Sequence, residues 1–421
     1  MHRRAAGLLL ALLGAVALLW GAAAAPASAT TTGPVIFGTI VTPDDEPVPG
    51  VVVNVAGPDG FTGSSTTDAE GAWEVTVPTT GSYTISLDES TLPEGLGLAA
   101  GSERTVNAFG GKVRVQFPTG DSVLKQSSKF DQVVQLTVDG LLLGLILALG
   151  AVGLSLIYGT TGLTNFAHGE LLTLGALSTY FYATVLSFPL VLAAVAALIT
   201  CGALGAVQDR ILWKPLRRRG TGLIAMLVVS IGLGIFLRYL FLFLFQGSTQ
   251  QFPEFSGQAG LEIGPVSITP KAIIGALLAI AAILTTIYWL LRTRMGKASR
   301  AVADNPALAS ASGIDVERVI NVVWILGATL AALAGILVGL TSGVSWNMGQ
   351  QILLLIFAAV TLGGLGTAFG ALFGALIVGL LIQLSTLVIP PELKSVGALV
   401  ILIVILLVRP QGLLGRRERI G

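Results

Sequence analysis

The 421-residue chain reads as a polytopic α-helical membrane protein of about eight membrane segments, some broken or re-entrant, preceded by a small extracytoplasmic all-β sandwich domain. Three observations carry that expectation. Hydrophobic residues make up 53% of the chain against 11% charged, with a mean hydropathy of +0.83, whereas a soluble globule carries roughly a quarter charged residues. From residue 136 onward, apolar runs recur at close to the ~20 residues that cross a ~30 Å hydrocarbon core. Before them, over 35–117, short alternating segments are punctuated by Gly, Pro and Asp.

The net charge of +1 leaves no cluster of Lys and Arg for neutralising phosphates, so nucleic acid is not an expected partner. Cys201 is the one cysteine, and His2 and His168 are the two histidines. Neither a disulfide framework nor a Cys- or His-rich metal centre can be built from them.

The N-terminus has the pattern of a secretory signal over residues 1–29. Arg3 and Arg4 are the positive region, 5–20 the apolar stretch, and Ala27-Ser28-Ala29 the small-residue cleavage site. An uncleaved first membrane helix is the alternative; in both cases the region beyond residue 29 is exported.

In the β region, every second side chain of Trp73-Glu74-Val75-Thr76-Val77 and Tyr83-Thr84-Ile85-Ser86-Leu87 is apolar, so one face of each strand can enter a core. Gly57-Pro58-Asp59-Gly60, Asp68-Ala69-Glu70-Gly71 and Thr80-Gly81-Ser82 supply turn chemistry between strands. Across 30–110, eleven Asp and Glu residues face Arg104 alone, which fits an external module. Their spacing lacks an EF-hand loop, so solvated charge rather than calcium binding is the expectation. Through Gly38-Thr39-Ile40-Val41, Pro47-Val48-Pro49-Gly50-Val51, Thr67-Asp68-Ala69-Glu70-Gly71-Ala72-Trp73 and Gly81-Ser82-Tyr83, the region resembles the carboxypeptidase regulatory-like, transthyretin-type sandwich. That resemblance implies an accessory sandwich domain over 33–118, without catalysis.

After a polar linker over 119–131, apolar runs fall at 136–158, 172–186, 189–207, 223–245, 272–291, 319–340, 352–387 and 396–408. The run from Ile352 is too long for one span, and Gly363-Gly364-Leu365-Gly366 divides it. Broken segments survive in a bilayer only where protein or water satisfies their backbone. Basic residues at Arg210, Lys214 and 217–219, at Arg292, Arg294, Lys297 and Arg300, and at Arg409, Arg416, Arg417 and Arg419 mark cytoplasmic loops. The loop 246–270 holds Glu254 and Glu262 and no Lys or Arg before Pro270, so it belongs outside. Parity then puts the β domain outside and the C-terminus in the cytoplasm.

Three groups of residues are candidates for function. Asn165-Phe166-Ala167-His168-Gly169-Glu170 places an amide, an imidazole and a carboxylate just before an apolar run. Polar groups at membrane depth are costly and mark pathways. A helix N-terminus offers N–H groups to a carboxylate, while Glu170 or Asn165 can accept from an ammonium. The plainer alternative leaves Glu170 favouring a helix N-terminus and His168 satisfying backbone. Gly363, Gly364, Gly366, Gly370, Gly374 and Gly379 form the second group, where close helix packing competes with a turn inside the bilayer. Arg238 is expected to snorkel to the outer interface. The third is the cytoplasmic stretch 294–319, with a turn at Asn305-Pro306 and a short Ala-rich helix ended by Gly313. On its own it reads as an amphipathic connector.

Taken together, Gly162-Leu163-Thr164-Asn165-Phe166-Ala167-His168-Gly169-Glu170, the loop from Arg294-Met295-Gly296-Lys297 to Gly313-Ile314, the stretch from Thr361-Leu362-Gly363-Gly364-Leu365-Gly366-Thr367 to Gly379, and Val408-Arg409-Pro410-Gln411-Gly412-Leu413-Leu414-Gly415 resemble the inner-membrane permease subunits of branched-chain amino acid ABC importers. The resemblance implies a permease domain over 132–415, with 416–421 as a cytoplasmic tail. It implies a second homologous permease subunit, cytoplasmic ATP-binding subunits, an extracytoplasmic substrate-binding protein and surrounding lipid as partners. On that reading Asp304, Asn305, Ala307, Leu308, Ala309, Gly313 and Ile314 belong to the element seated in the ATPase, replacing the connector reading. Asn165, Phe166, His168, Gly169, Glu170, Gly363, Gly364 and Gly366 contribute to the substrate pathway. Related permeases carry urea or short amides, so the cargo stays open between these classes. The added signal and β domain depart from the usual pattern; contact with the binding protein or the cell envelope is the expected role of the latter.

The chain is not expected to hydrolyse ATP or hold a cofactor. A phosphate-binding loop needs G-x-x-x-x-G-K-[ST], but Gly296-Lys297 is followed by Ala298 and preceded at the required position by Leu291. ATP is then used by a partner subunit. A gradient-driven transporter is the runner-up, with Glu170 and Asp139 as its few membrane carboxylates. A surface adhesin would need only one anchor helix, and no catalytic triad can be assembled around His168.

Overall fold

A computed structural model describes residues 34–42, 46–93, 96–98, 101–108, 112–117, 119, 128–245, 247, 249–252 and 260–390, with isolated positions at 393, 396, 400, 403 and 407. The expected signal over 1–29, most of the last apolar run at 396–408, the 408–415 motif and the tail lie outside these residues. The chain divides into one compact unit within 24–128 and another from Lys129 onward.

The first unit is a two-sheet sandwich. β1 (Val35–Thr39), β4 (Ala72–Thr76) and β7 (Lys112–Arg114) form a sheet in the order β4-β1-β7, with β1 antiparallel to β4 and parallel to β7. The second sheet joins β2 (Val52–Ala56), β3 (Thr62–Thr66), β5 (Gly81–Leu87) and β6 (Glu103–Ala108) in the order β3-β2-β5-β6, all antiparallel. The alternation read in the sequence is the burial pattern: Trp73, Val75, Val77, Tyr83, Ile85 and Leu87 all enter one core with Ile36, Val53 and Val55. Asp68 builds the predicted corner, its Oδ1 accepting from the Glu70 and Ala72 amides at 3.1 and 2.7 Å. The buried Tyr83 keeps its hydroxyl satisfied by donating to the Thr79 carbonyl at 2.7 Å.

The second unit is helical: α1 (Lys129–Thr161), α2 (His168–Tyr180), α3 (Leu190–Gln208), α4 (Lys214–Arg218), α5 (Leu223–Phe245), α6 (Pro270–Arg292), α7 (Arg294–Asp304), α8 (Pro306–Ala311), α9 (Val316–Ser342), α10 (Met348–Gly363) and α11 (Ala368–Ser385). Single π-helical turns at Phe181–Val185 and Asp209–Trp213 extend α2 and join α3 to α4. A short hairpin, β8 (Leu261–Ile263) and β9 (Val266–Ile268), sits before α6. The Gln135 side chain pairs with it like a neighbouring strand, accepting from the Ser267 amide at 2.9 Å and donating to its carbonyl at 3.2 Å.

Six of these helical stretches are long and apolar enough to cross a membrane. They are α1, α3 with its extension to Arg218, α5, α6, α9 and α11. Two of the expected segments fall outside this set: α2 has 13 residues before its five-residue π turn and carries His168, Glu170 and several hydroxyls, and α10 has 16 residues, about 24 Å of helix. Burial sorts centre from periphery, since 72% of the apolar window of α1 and 67% of that of α9 are buried, against 17% for α5. The central helices are rich in small residues and touch backbone to backbone. At Gly335 of α9 an added Cβ would lie 1.9 Å from the Leu172 carbonyl oxygen of α2.

Gly335→Leu is therefore expected to force α2 and α9 apart, costing about 1–3 kcal/mol or more. Gly232→Ala, at a position with nothing within 4 Å, should be silent. Thermal melting of the detergent-solubilised protein checks both.

Candidate functional site

The chain leaves α1 at Thr161, reverses at Gly162, whose φ of +68° suits glycine, and climbs back beside the same helix. His168 Nε2 donates to the Gly150 carbonyl at 3.0 Å. Gly150 lies eleven residues before Thr161, so α2 begins roughly 16 Å up α1, well inside a ~30 Å hydrocarbon core. The non-helical ascent is held by specific partners. The Gly162 amide donates to Tyr158 O at 2.7 Å, Leu163 to Thr161 Oγ1 at 3.2 Å, Phe166 to Ser230 Oγ at 3.1 Å and Ala167 to Asn165 Oδ1 at 3.1 Å.

The helix start thus concentrates buried polarity. Asn165 and His168 are fully buried and Glu170 is 1% exposed. Arg238 of α5 donates to Glu170 Oε1 through Nε at 3.2 Å and Nη2 at 3.1 Å. The expectation that Arg238 snorkels is corrected here: a carboxylate within reach at the same depth offsets its charge more effectively than a stretch to the interface. Three polar atoms of the cluster have no partner among the described residues: Asn165 Nδ2, His168 Nδ1 and Glu170 Oε2. The first is a donor; with Nε2–H committed to Gly150, the second accepts, as does the third. Gly169 makes close backbone contact with Gly349 of α10, whose amide donates to Thr173 Oγ1 at 3.0 Å.

The Gly363–Gly366 break lies elsewhere. Gly364 (φ +108°) and Gly366 (φ +80°) turn the chain from α10 into α11, and Gly363 packs against the Gly370 carbonyl. Gly366 lines a cavity of about 1010 Å³ with Ser155, Tyr158, Thr361 and residues of α7 including Lys297 and Arg300. Asn165, His168 and Glu170 are not among its lining residues. The two halves of the expected pathway are therefore separate features.

The predicted ATPase-docking residues form one exposed elbow. Asn305 caps α8, its Oδ1 accepting from the Leu308 amide at 3.0 Å. Ala309 anchors the elbow against Val302 and Val319, leaving Asp304, Asn305, Ala307, Leu308 and Gly313 exposed and Ile314 half-buried. Gly313 ends it with φ +84°. Beside it lies a network that charge counting missed. Arg217, which by sequence marks only orientation, bridges buried Asp209 at 2.8 Å and Glu317 at 3.2 Å, and Asn321 donates to Asp209 at 3.1 Å. Trp213 stacks on Trp324 with ring centroids 5.6 Å apart. The signal available was Asp209, an acid in an otherwise basic loop. Among the described residues, no three His, Cys, Asp or Glu side chains could hold a metal ion together.

Breaking one side of the buried Glu170–Arg238 pair strands a charge. Arg238→Met should lower stability by about 3 kcal/mol, and adding Glu170→Gln should recover much of it. Thermal melting of the single and double variants tests this.

The comparisons with known proteins bear on the helical unit. Residues 136–406 match the model of the branched-chain amino acid transport system permease component family. The chain is 35% identical over 306 residues to the high-affinity branched-chain amino acid transport system permease protein LivH of Salmonella typhimurium, covering 69% of this chain and 98% of that one. It is 32% identical over 301 residues to BraD of Pseudomonas aeruginosa, a permease protein of the same description, covering 68% and 96%. The ribose import permease protein RbsC of Escherichia coli is 32% identical over 248 residues, covering 56% and 72%, so related sequences extend to sugar permeases. The chain belongs to the branched-chain amino acid transport permease family and is a multi-pass membrane transport protein rather than an enzyme.

Proposed function

We propose that this chain is the permease subunit of an ATP-driven importer that carries branched-chain amino acids across the cytoplasmic membrane. The observation that carries the reading beyond family membership is the polar cluster at the start of α2. Asn165 Nδ2 can donate to a carboxylate, while His168 Nδ1 and Glu170 Oε2 can accept from an ammonium. The partial positive charge of the helix N-terminus favours the carboxylate end. Gly169 brings α10 close, and Gly363, Gly364 and Gly366 shape the other end of the route.

The same reading supplies the partners: a second homologous permease, cytoplasmic ATP-binding subunits, an extracytoplasmic substrate-binding protein and the surrounding lipid of the inner membrane. The β sandwich lies outside and the C-terminus in the cytoplasm. The chain binds no cofactor of its own, and ATP is consumed by the partner. The exposed α8 elbow around Leu308, 64% exposed, seats in that ATPase. A second cargo reading, urea or a short amide, is favoured by the same mixed donors and acceptors and by the family's breadth. The β sandwich contacts the binding protein or the envelope.

Vesicles reconstituted with this chain, its co-purifying permease, ATPase and binding protein should take up labelled leucine only when ATP and the ATPase are present. Urea uptake alone changes the cargo, and uptake without the ATPase overturns the mechanism. Gly313→Leu, strained at φ +84°, should lower uptake per ATP hydrolysed while membrane insertion is unchanged. Equal coupling ratios in variant and wild type would remove the docking role.

A further inference from the structure

Phe166 and Phe357 are half-buried and lie against each other, with ring centroids 4.8 Å apart and planes at 38°. Phe166 is in the ascent to α2, directly beside Asn165 and two residues before His168. Phe357 belongs to a stripe of α10, Gln350, Leu354, Phe357 and Thr361, that is exposed or half-exposed at helical spacing. The positions of the ends fix the order along that stripe. Gly349 meets the first turn of α2 at Gly169 and the second through its bond to Thr173. Phe357 is eight residues further along, roughly 12 Å, and Thr361, one turn beyond, lines the cavity of about 1010 Å³. Ser155, also lining that cavity, is fully buried and its hydroxyl has no partner among the described residues.

The aromatic pair therefore separates two polar regions: the unpartnered cluster at Asn165, His168 and Glu170 on one side and the hydroxyl-lined cavity on the other. On the stripe itself Gln350 and Thr361 flank the apolar band of Leu354 and Phe357, and a face with polar groups on both sides of such a band does not suit lipid contact, because polar atoms at membrane depth turn toward protein or water. Apolar constrictions between wet regions block passage by expelling water.

We infer that Phe166 and Phe357 form one wall of an apolar gate in the transport route, closed in this conformation, with the opposite wall supplied by the second permease. The inference rests on the permease reading above but not on its cargo. Neither ring alone fills the band: Phe357 supplies the face on α10, and Phe166 ties it to the polar cluster, so motion of α10 against α2 opens the pair.

The test uses the whole reconstituted complex in proteoliposomes loaded with labelled leucine, urea or ribose, without ATP. Phe357→Ala and Phe166→Ala are expected to speed efflux of at least one solute on the order of tenfold, while Phe357→Leu stays at the wild-type rate. Wild-type efflux of all three solutes from intact alanine-variant complexes overturns the gate. Should the alanine variants fail to assemble, Phe357→Cys gives a second readout, since the native Cys201 is buried. Its labelling by a water-soluble thiol reagent should rise when ATP and binding protein are added. Labelling unchanged by ATP overturns the proposal. Failure of ATP-driven leucine uptake by the wild type, with efflux of urea or ribose through Phe357→Ala, removes the cargo reading and leaves the gate standing.

Discussion

Backbone amides and carbonyls cannot go unpaired at membrane depth, and much of the helical unit is organised around a place where that requirement is hard to meet. Between Thr161 and His168 the chain abandons the helix while still beside α1. It does so because Thr161, Asn165 and Ser230 lend side-chain oxygens to amides that a helix would otherwise satisfy. That repair fixes the start of α2, and with it the depth of His168 and Glu170. Arg238 then has a carboxylate to pair with, and Gly169 has a backbone to pack against in α10.

The same logic explains which helices are central. α1 and α9 carry glycine and alanine where they meet α2, α10 and α11, so main chains approach closely enough for carbonyl contacts. Bulky apolar side chains are displaced to the outer helices, where Ile224, Val228 and Phe243 of α5 face outward. At the start of α9, Trp213 against Trp324 and Arg217 between Asp209 and Glu317 fasten the short α4 segment to the helix that succeeds the α8 elbow. Ala309, packed with Val302 and Val319, ties the elbow itself to α9.

Much of this is legible in the sequence because local rules and the final structure agree. The period-two alternation around Trp73 and Tyr83, the Asn305-Pro306 cap, the stop at Gly313 and the break at Gly363–Gly366 each arise from one residue type in one backbone geometry. The long apolar runs mark the helices, although the 16-residue α10 looks no different from a full span by hydropathy alone. The hidden part depends on pairing across the fold. Arg238 lies 68 residues from Glu170 in sequence and Arg217 lies 100 from Glu317, so neither partner is visible from the loop or helix that carries the arginine. Phe357 looks like any apolar residue of a membrane run until the fold sets Phe166 beside it.

The depth at which α2 begins also changes what kind of electrostatics operates there. A helix N-terminus at the aqueous surface acts through a medium in which counterions damp its field over about 8 Å at physiological salt. The start of α2 lies farther than that from the end of α1, and Asn165, His168 and Glu170 there are buried among packed helices. Its pull on an anionic group is consequently far less sensitive to ionic strength. The basic segments at 210–219 and 292–300 attract through water and remain subject to salt.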